Sequence, residues 1–325
     1  MRVHLYSLGI MSLNYYINKF QKLGISRSRG PAPHKPILLL AIIELIEQGE
    51  RRHNQISLSP ELIAAFLKLW QVLGSANHNA DIGLPFFHLR SDGFWHFCPN
   101  PGFEALLSSG AKVRTVKTIQ SAIAYAYFDE ELFVLLQQPE SRNVLVNALL
   151  NTWFADKGEQ VNQILRVNAF AEFQQELQAT GGKVYQPDAE ELKDETKEIV
   201  RDAAFRRVVV SVYGQRCAFC GLRVIHQGQI IVDGSHIKPF SQFYDDRIDN
   251  GVALCKNHHW AFDRGWFSIT DDYTLLISSN LVEDSPNARP MRDFAGDRIL
   301  LPSHSQYYPR LEALRWHREN VFGAV

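Results

Sequence analysis

Cysteine is scarce in this chain. Only Cys98, Cys217, Cys220 and Cys255 occur in 325 residues, too few for a disulfide framework of that size, and three of them fall at metal-ligand spacings. A reducing, cytoplasmic setting is therefore expected, with Cys98 left over as a buried apolar residue. Long apolar runs are also missing. The longest, Ile37 to Ile46, is broken by Glu44 and is too short to cross a bilayer, so no membrane span or membrane partner is expected. Met1 to Met11 lacks the basic start, apolar stretch and small-residue cleavage site of a secretory leader, and Met11 offers a second start. Internal repeats and low-complexity tracts are absent. The net charge of −1 excludes a strong overall field of either sign, so any attraction to phosphates must come from local asymmetry.

Such an asymmetry exists. Lys and Arg outnumber Asp and Glu over residues 1–120, whereas residues 188–198 carry Asp188, Glu190, Glu191, Asp194, Glu195 and Glu198 against two lysines. With 46% hydrophobic and 21% charged residues, the composition is globular and the length suits two domains. A helical pattern over Leu13 to Leu23 leads to the loop Ser26 to Lys35, and Pro36 opens an almost wholly apolar helix that stops at Gly49. Another helix starts at Ser59-Pro60 and runs through Trp70. Leu84 to Phe97 reads as a hairpin turning at Ser91-Asp92-Gly93. Further helices are expected over 118–155 and a helical, acidic linker over 156–198. Beyond it the pattern is a helix over Phe205 to Tyr213, strands Gln229–Val232 and Val252–Cys255, and a helix Lys256–Arg264 closed by Gly265.

Cys217-x2-Cys220 and Cys255-x2-His258 are two knuckles whose four residues can surround one structural Zn²⁺. His259 sits on another side of its helix and shares a face with Asp263, four residues on. The order His236, Asn250, His259 resembles that of the HNH nucleases, which implies hydrolysis of DNA phosphodiesters. A phosphodiester is an anion attacked by a poor nucleophile, so its hydrolysis needs a base for water and a cation for the growing negative charge. His236 suits the base, histidine being the side-chain type that exchanges protons near neutral pH. Asp233 and His259, helped by Asp263, suit a hard ion such as Mg²⁺ or Mn²⁺. Asn250 is expected to pin the loop that carries the imidazole, and Lys238, Lys256 and Arg264 to steer a DNA backbone.

The run Asp233-Gly-Ser-His-Ile-Lys-Pro239, then Asn250, then His259 with Phe262-Asp263-Arg264-Gly265, resembles the HNH (ββα-metal) nucleases, with His236, Asn250 and His259 as the name-giving positions. Many HNH proteins place a metal ligand directly before the catalytic histidine. Here that position is Ser235, so Asp233 stands in for it.

In the N-terminal half, Arg29-Gly-Pro-Ala-Pro-His-Lys-Pro-Ile-Leu-Leu-Leu and Leu84-Pro-Phe-Phe-His-Leu-Arg-Ser-Asp-Gly-Phe-Trp95 resemble the sulfur-binding domain of phosphorothioated-DNA-binding restriction endonucleases. That resemblance implies a type IV restriction enzyme whose partner is phosphorothioated double-stranded DNA. His34 and Lys35 open a helix where free amides favour an anion, with Arg27 and Arg29 on the approach. Sulfur needs an apolar cup beside cationic donors. Pro85 and Phe86, with Leu84 where the family often has an aromatic residue, would form it, flanked by His88 and Arg90.

The expected fold is α+β: a mixed α+β DNA-reading domain (1–155), the linker (156–198), and a ββα-metal nuclease domain (199–325) with a Cys3His zinc site. Cutting both strands would call for a homodimer. An HNH endonuclease that reads a methylated base or plain sequence, and a zinc-supported DNA-binding protein without nuclease activity, remain open as alternatives.

Overall fold

Helix α1 (Arg2–Gln21) leads through an exposed loop into α2 (His34–Glu47), in which every residue from Lys35 to Ile46 is buried. A helix apolar on all sides has to be enclosed by others. The structure, a computed structural model, describes residues 2–50, 52–105, 115–155, 157, 167–226 and 229–322, with residues 2–11 described by backbone alone. The expected linker residues 156 and 158–166 lie outside the described residues. The chain divides into two compact units, Met1–Glu172 and Phe173–Val325.

In the first unit α2 packs against α3 (Pro60–Leu73) and α4 (Gly83–His88). Pro36 falls in the first turn of α2, where no intrahelical donor is lost, so the helix begins two residues before it. Ser59 caps α3 through its side chain to the amide of Leu62. The hairpin expected over Leu84 to Phe97 is not formed. Asp81 accepts from the amide of Leu84 at 3.1 Å and starts α4. A 3₁₀ turn follows over Leu89–Asp92, and Gly93 (φ 84°) ends it in the left-handed region. Only then comes strand β1 (Trp95–Pro99), which pairs antiparallel with β2 (Ile123–Phe128) rather than with residues 84–90.

Helices α5 (Val116–Ala122), α6 (Glu130–Gln137) and α7 (Pro139–Trp153) complete the layer. The one carboxylate inside α2, Glu44, is met by Lys68 from α3 and by Gln48 at 3.0 Å. Burial, only partly offset by Lys68, still raises its pKa to about 7. Cys98, expected inside, is only half-buried.

After α8 (Ala169–Thr180) and the short α9 (Glu190–Lys193), the second unit is organised by α10 (Glu195–Val212). This helix begins ten residues earlier than its apolar pattern, because Asp194 caps it, accepting from the amide of Thr196 at 2.9 Å, and Glu195 and Glu198 complement its dipole. The acidic segment is thus largely the start of a helix. A small hairpin of β3 (Ile225–His226) and β4 (Gln229–Ile230) precedes β5 (Val232–His236). β5 pairs antiparallel with β6 (Gly251–Cys255), from Val232 opposite Cys255 to His236 opposite Gly251. The short helix α11 (Phe240–Phe243) lies between these strands, and α12 (Lys256–Phe262) follows β6 without a break. Strands β7 (Phe267–Ile269) and β8 (Leu275–Ile277) and helix α13 (Leu311–His317) close the core around Phe262 and Phe267.

Helix α10 lies so close to β5 and β6 that two strand positions have no room for a side chain. A Cβ on Gly234 would stand 2.6 Å from the carbonyl oxygen and 2.8 Å from Cα of Arg206, and one on Gly251 would meet Val209 and Phe205. Backbone cannot yield as a side-chain tip can, so Gly234→Ala is expected to cost about 1–3 kcal/mol through overpacking. Urea unfolding of the full chain followed by circular dichroism measures this; a change below about 0.5 kcal/mol would contradict the close approach.

Candidate active site and DNA-reading surface

Strand alternation sorts the candidate residues of β5. Gly234 and His236 face α10, as do their β6 partners Ala253 and Gly251. Asp233 faces α12. Asp233 and His236 are three residues apart, an odd spacing, so the strand turns them to opposite faces. Order along the chain does not carry this pleat, so the sequence alone does not separate the two.

On the α10 face the His236 ring stacks on Phe205, centroids 3.8 Å apart and nearly parallel. Its Nε2 lies 2.8 Å from Oδ1 of Asp246, a carboxylate that favours a proton on Nε2 and so leaves Nδ1 as the nitrogen that can accept one. Asp246 is itself buried and paired with Arg201, whose guanidinium lies 3.5 Å over the Phe240 ring. Tyr185 lies beside this group, its phenol pushed up to about 12 by burial and the charge of Asp246. Asp246, Arg201 and Phe205 escaped sequence reasoning; the doublet Asp245-Asp246 just before Asn250 was the available signal. Asn250 ends the loop between β5 and β6. Fully buried, it accepts from the amide of Lys238 at 3.0 Å and donates to the carbonyls of Lys238 and Asp245 at 3.1 and 3.0 Å. It therefore ties both ends of the loop that follows His236.

On the α12 face Asp233 Oδ2 lies 3.4 Å from His259 Nδ1, while Asp263 Oδ2 lies 3.6 Å from His259 Nε2. The three residues share one surface, but the carboxylates approach opposite nitrogens of the ring. Lys256 donates to Asp233 at 3.0 Å and Arg206 at 3.4 Å. Burial opposes ionisation of Asp233, yet the bonds from His259 and Lys256 and the charge of Arg206 outweigh it and hold the carboxyl well below its ordinary range.

Cys217, Cys220, Cys255 and His258 bring their ligand atoms within 4.8 Å of one another. His258 Nδ1 stands 3.6 Å from Cys217 Sγ and 3.1 Å from Cys255 Sγ. Ligand atoms 2.0–2.3 Å from one tetrahedral ion are about 3.5 Å apart, so three soft thiolates and one imidazole fit zinc here. Phe219 stacks on the His258 ring at 3.9 Å and fixes its plane. Among the described residues no other set of His, Cys, Asp and Glu converges in this way.

In the N-terminal unit Arg27 and Arg29 are exposed on the approach to α2. His34 is half-buried, its Nε2 2.9 Å from the carbonyl of Asn79 and its ring 4.6 Å from that of Trp70. Lys35 is not available to a phosphate as expected. It is buried, and its ammonium donates to Asp92 at 2.6 Å and Ser91 at 3.2 Å, tying the start of α2 to the Leu89–Asp92 turn.

The expected cup also differs. Because residues 83–88 are helical, Leu84 and His88 share one exposed face, four residues apart, while Pro85 and Phe86 are buried. Phe86 packs edge-on against Trp95 at 5.4 Å. Arg90 lies 4.3 Å over the Phe87 ring, and burial together with the charges of Lys35 and Arg90 lowers the pKa of His88. Beside the Lys35–Asp92 pair, Tyr15, Asn18, Lys19, Lys22 and Gly24 line an open cavity of about 460 Å³ with Ser91 and Asp92. Its two lysines went unremarked in the sequence because they fall singly on a helix.

Residues 14–168 match the family model described as ScoMcrA-like, DNA sulfur-binding domain, and residues 217–270 match the HNH endonuclease model. A comparison with curated proteins gives no match. Among solved structures, a modification-dependent TagI restriction endonuclease is 25% identical over 38% of this chain and 39% of its own, with a TM-score of 0.29. The present chain thus spans about two fifths of that protein's length. The type IV phosphorothioation-dependent restriction endonuclease ScoMcrA is 13% identical over 75% of this chain and 83% of its own, with a TM-score of 0.35.

The placement of Leu84 and Phe86 has a measurable consequence. Phe86→Ala is expected to lower stability by about 3–5 kcal/mol, as for other buried aromatics, and Leu84→Ala by less than about 1 kcal/mol. Denaturant titrations of the two variants decide it; comparable losses would mean that Leu84 is packed as Phe86 is.

Proposed function

We propose that this chain, which joins a ScoMcrA-like DNA sulfur-binding domain to an HNH endonuclease domain, is a type IV restriction endonuclease that binds phosphorothioated duplex DNA and hydrolyses phosphodiesters nearby. The observation that carries this reading is the pairing of the two domains in one chain, with His236, Asn250 and His259 in order within the second. The N-terminal unit reads the mark. Arg27, Arg29 and Arg90 supply positive charge, and His34, His88 and the exposed Leu84 supply a less hydrated surface. Sulfur, larger and less strongly hydrated than oxygen, gains more from an apolar neighbour. The enzyme acts in the cytoplasm, and a homodimer brings the two sites that a double-strand cut requires.

Cys217, Cys220, Cys255 and His258 hold a structural Zn²⁺, since four protein ligands leave no place for water. Asp233 and His259 are the residues that would hold Mg²⁺ or Mn²⁺, which when bound would neutralise charge on the phosphate and the departing 3′ oxygen, whereas Asp263 meets the other nitrogen of the His259 ring and does not converge with them. His236 is the general base. Asp246 keeps the proton on Nε2, so that Nδ1 takes the proton of the attacking water, and the Phe205 stack holds the ring in plane. Placed at the last position of β5, the imidazole sits where the strand ends and the loop tied by Asn250 begins. Lys238, Lys256 and Arg264 orient the backbone of the substrate.

Titration of the full chain with matched duplexes that differ only in one sulfur tests the reading mark. Tighter binding and cleavage of the phosphorothioated duplex is expected. Equal affinity for both would favour a nuclease that reads a methylated base or plain sequence.

A second measurement addresses the base. His236→Gln keeps a donor for Asp246 but removes the base, and should abolish cleavage while leaving the fold and the binding of modified DNA intact. Asp246→Asn should lower kcat tenfold or more, because an amide can favour the wrong tautomer. Cleavage by His236→Gln at an appreciable rate would move the base elsewhere.

A further inference from the structure

Helix α12 turns by about 100° per residue, and its side chains divide into three faces. Ala261, Phe262 and the zinc-facing His258 point inward. His259 and Asp263 form the next face round, beside Asp233. Lys256 and Trp260, at i and i+4, form the face beyond that, Arg264 from the turn after the helix lies against Trp260, and all three are exposed. Trp260 is 47% exposed, a large apolar surface to leave in water. It is also held rigidly. Arg264 lies 3.8 Å over its ring and Trp266 meets it edge-on at 4.8 Å. At the other end Lys256 is 64% exposed, tethered only to Asp233.

We propose that Lys256, Trp260 and Arg264 are a platform for the DNA strand being cut, with a base beside the scissile phosphate stacking on Trp260 and the flanking phosphates meeting the two cations. The proposal rests on the nuclease reading of the neighbouring face. An aromatic ring between two cations matches the alternation of bases and phosphates along a strand, and a base that leaves the duplex stack at the cut presents a π-face to such a ring. The dimensions agree. The four-residue step from Lys256 to Trp260 rises about 6 Å, close to two phosphate spacings of about 3.4 Å along one strand, and Arg264 carries the stripe past the end of the helix. No other partner suits the site as well, because the stripe adjoins the only carboxylate–histidine face on this helix.

The test uses the full chain and duplexes carrying 2-aminopurine at successive positions around the cut. Unaltered protein should change the probe's emission at one position next to the cut. Trp260→Ala should erase that change and raise KM about tenfold, with kcat at saturating DNA within about threefold. Trp260→Phe should keep both the signal and KM, since a smaller ring still stacks. Lys256→Ala and Arg264→Ala should weaken binding and flatten its salt dependence without erasing the signal. A folded Trp260→Ala protein with unchanged KM and probe signal would overturn the proposal. The probe signal decides the platform and the cleavage rate decides the nuclease reading, so the two can fail separately.

Discussion

Every group in the C-terminal unit that can act on a phosphodiester depends on how closely α10 lies on β5 and β6. The contact brings the backbone of Arg206 onto Gly234 and the side chains of Val209 and Phe205 onto Gly251. It sets the depth at which the His236 ring meets Phe205 and brings Arg201 within reach of Asp246. The same helix sends Arg206 past the strand to the carbonyl of Gly234 and to Asp233. Both faces of the ββα layer are therefore registered by one packing contact. Close-packed interiors transmit such a constraint with little compliance, so spacing the helix even a methyl group farther away would disturb both faces together.

The buried polar groups fit the same account. Asp246 is surrounded by Arg201 and His236, Asp245 by Arg247 and Arg310, and Asn250 bonds to three backbone groups. A carboxylate buried alone would be costly, and one held by two cationic or donor groups is both satisfied and oriented. The loop between β5 and β6 is thus fixed from within by charges as well as by the buried side chains of Ile237 and Ile248. This is the kind of positioning that catalysis at a strand end requires.

Local chemistry was legible in the sequence where spacing alone carried it. The knuckles Cys217-x2-Cys220 and Cys255-x2-His258 need only short-range turns to converge, and the i, i+4 pair His259 and Asp263 needs only a helix; each is found as read. The core helix after Pro36 was equally plain. Long-range pairing was not legible. Residues 84–97 alternate well enough for a hairpin, but Asp81 and Pro85 favour a helical turn, and β1 finds its partner in residues 123–128 instead. Lys35 looked like a free cation because Asp92 lies 57 residues away. Asp246 carried no motif of its own. Its role appears only when the β5–β6 loop folds back on His236.

Helix α12 shows how little sequence is needed to separate several duties. In nine residues from Lys256 to Arg264, one position completes the metal knuckle, two form the His259–Asp263 pair beside Asp233, two enter the core and four face outward. None of these assignments is independent of the others, because all are read from one helical phase. Inserting a residue between His258 and His259 would turn everything after it by about 100°. Phe262 would leave the core, and the His259–Asp263 face would rotate away from Asp233. Substitution can change one duty at a time; a change of length changes all those that follow. Strand β5 is subject to the same logic with a period of two, where a shift of one residue would exchange the faces of Asp233 and His236. The arrangement therefore rests on the direct junction of β6 with α12 at Cys255, a residue that ends the strand, caps the helix and belongs to the metal cluster.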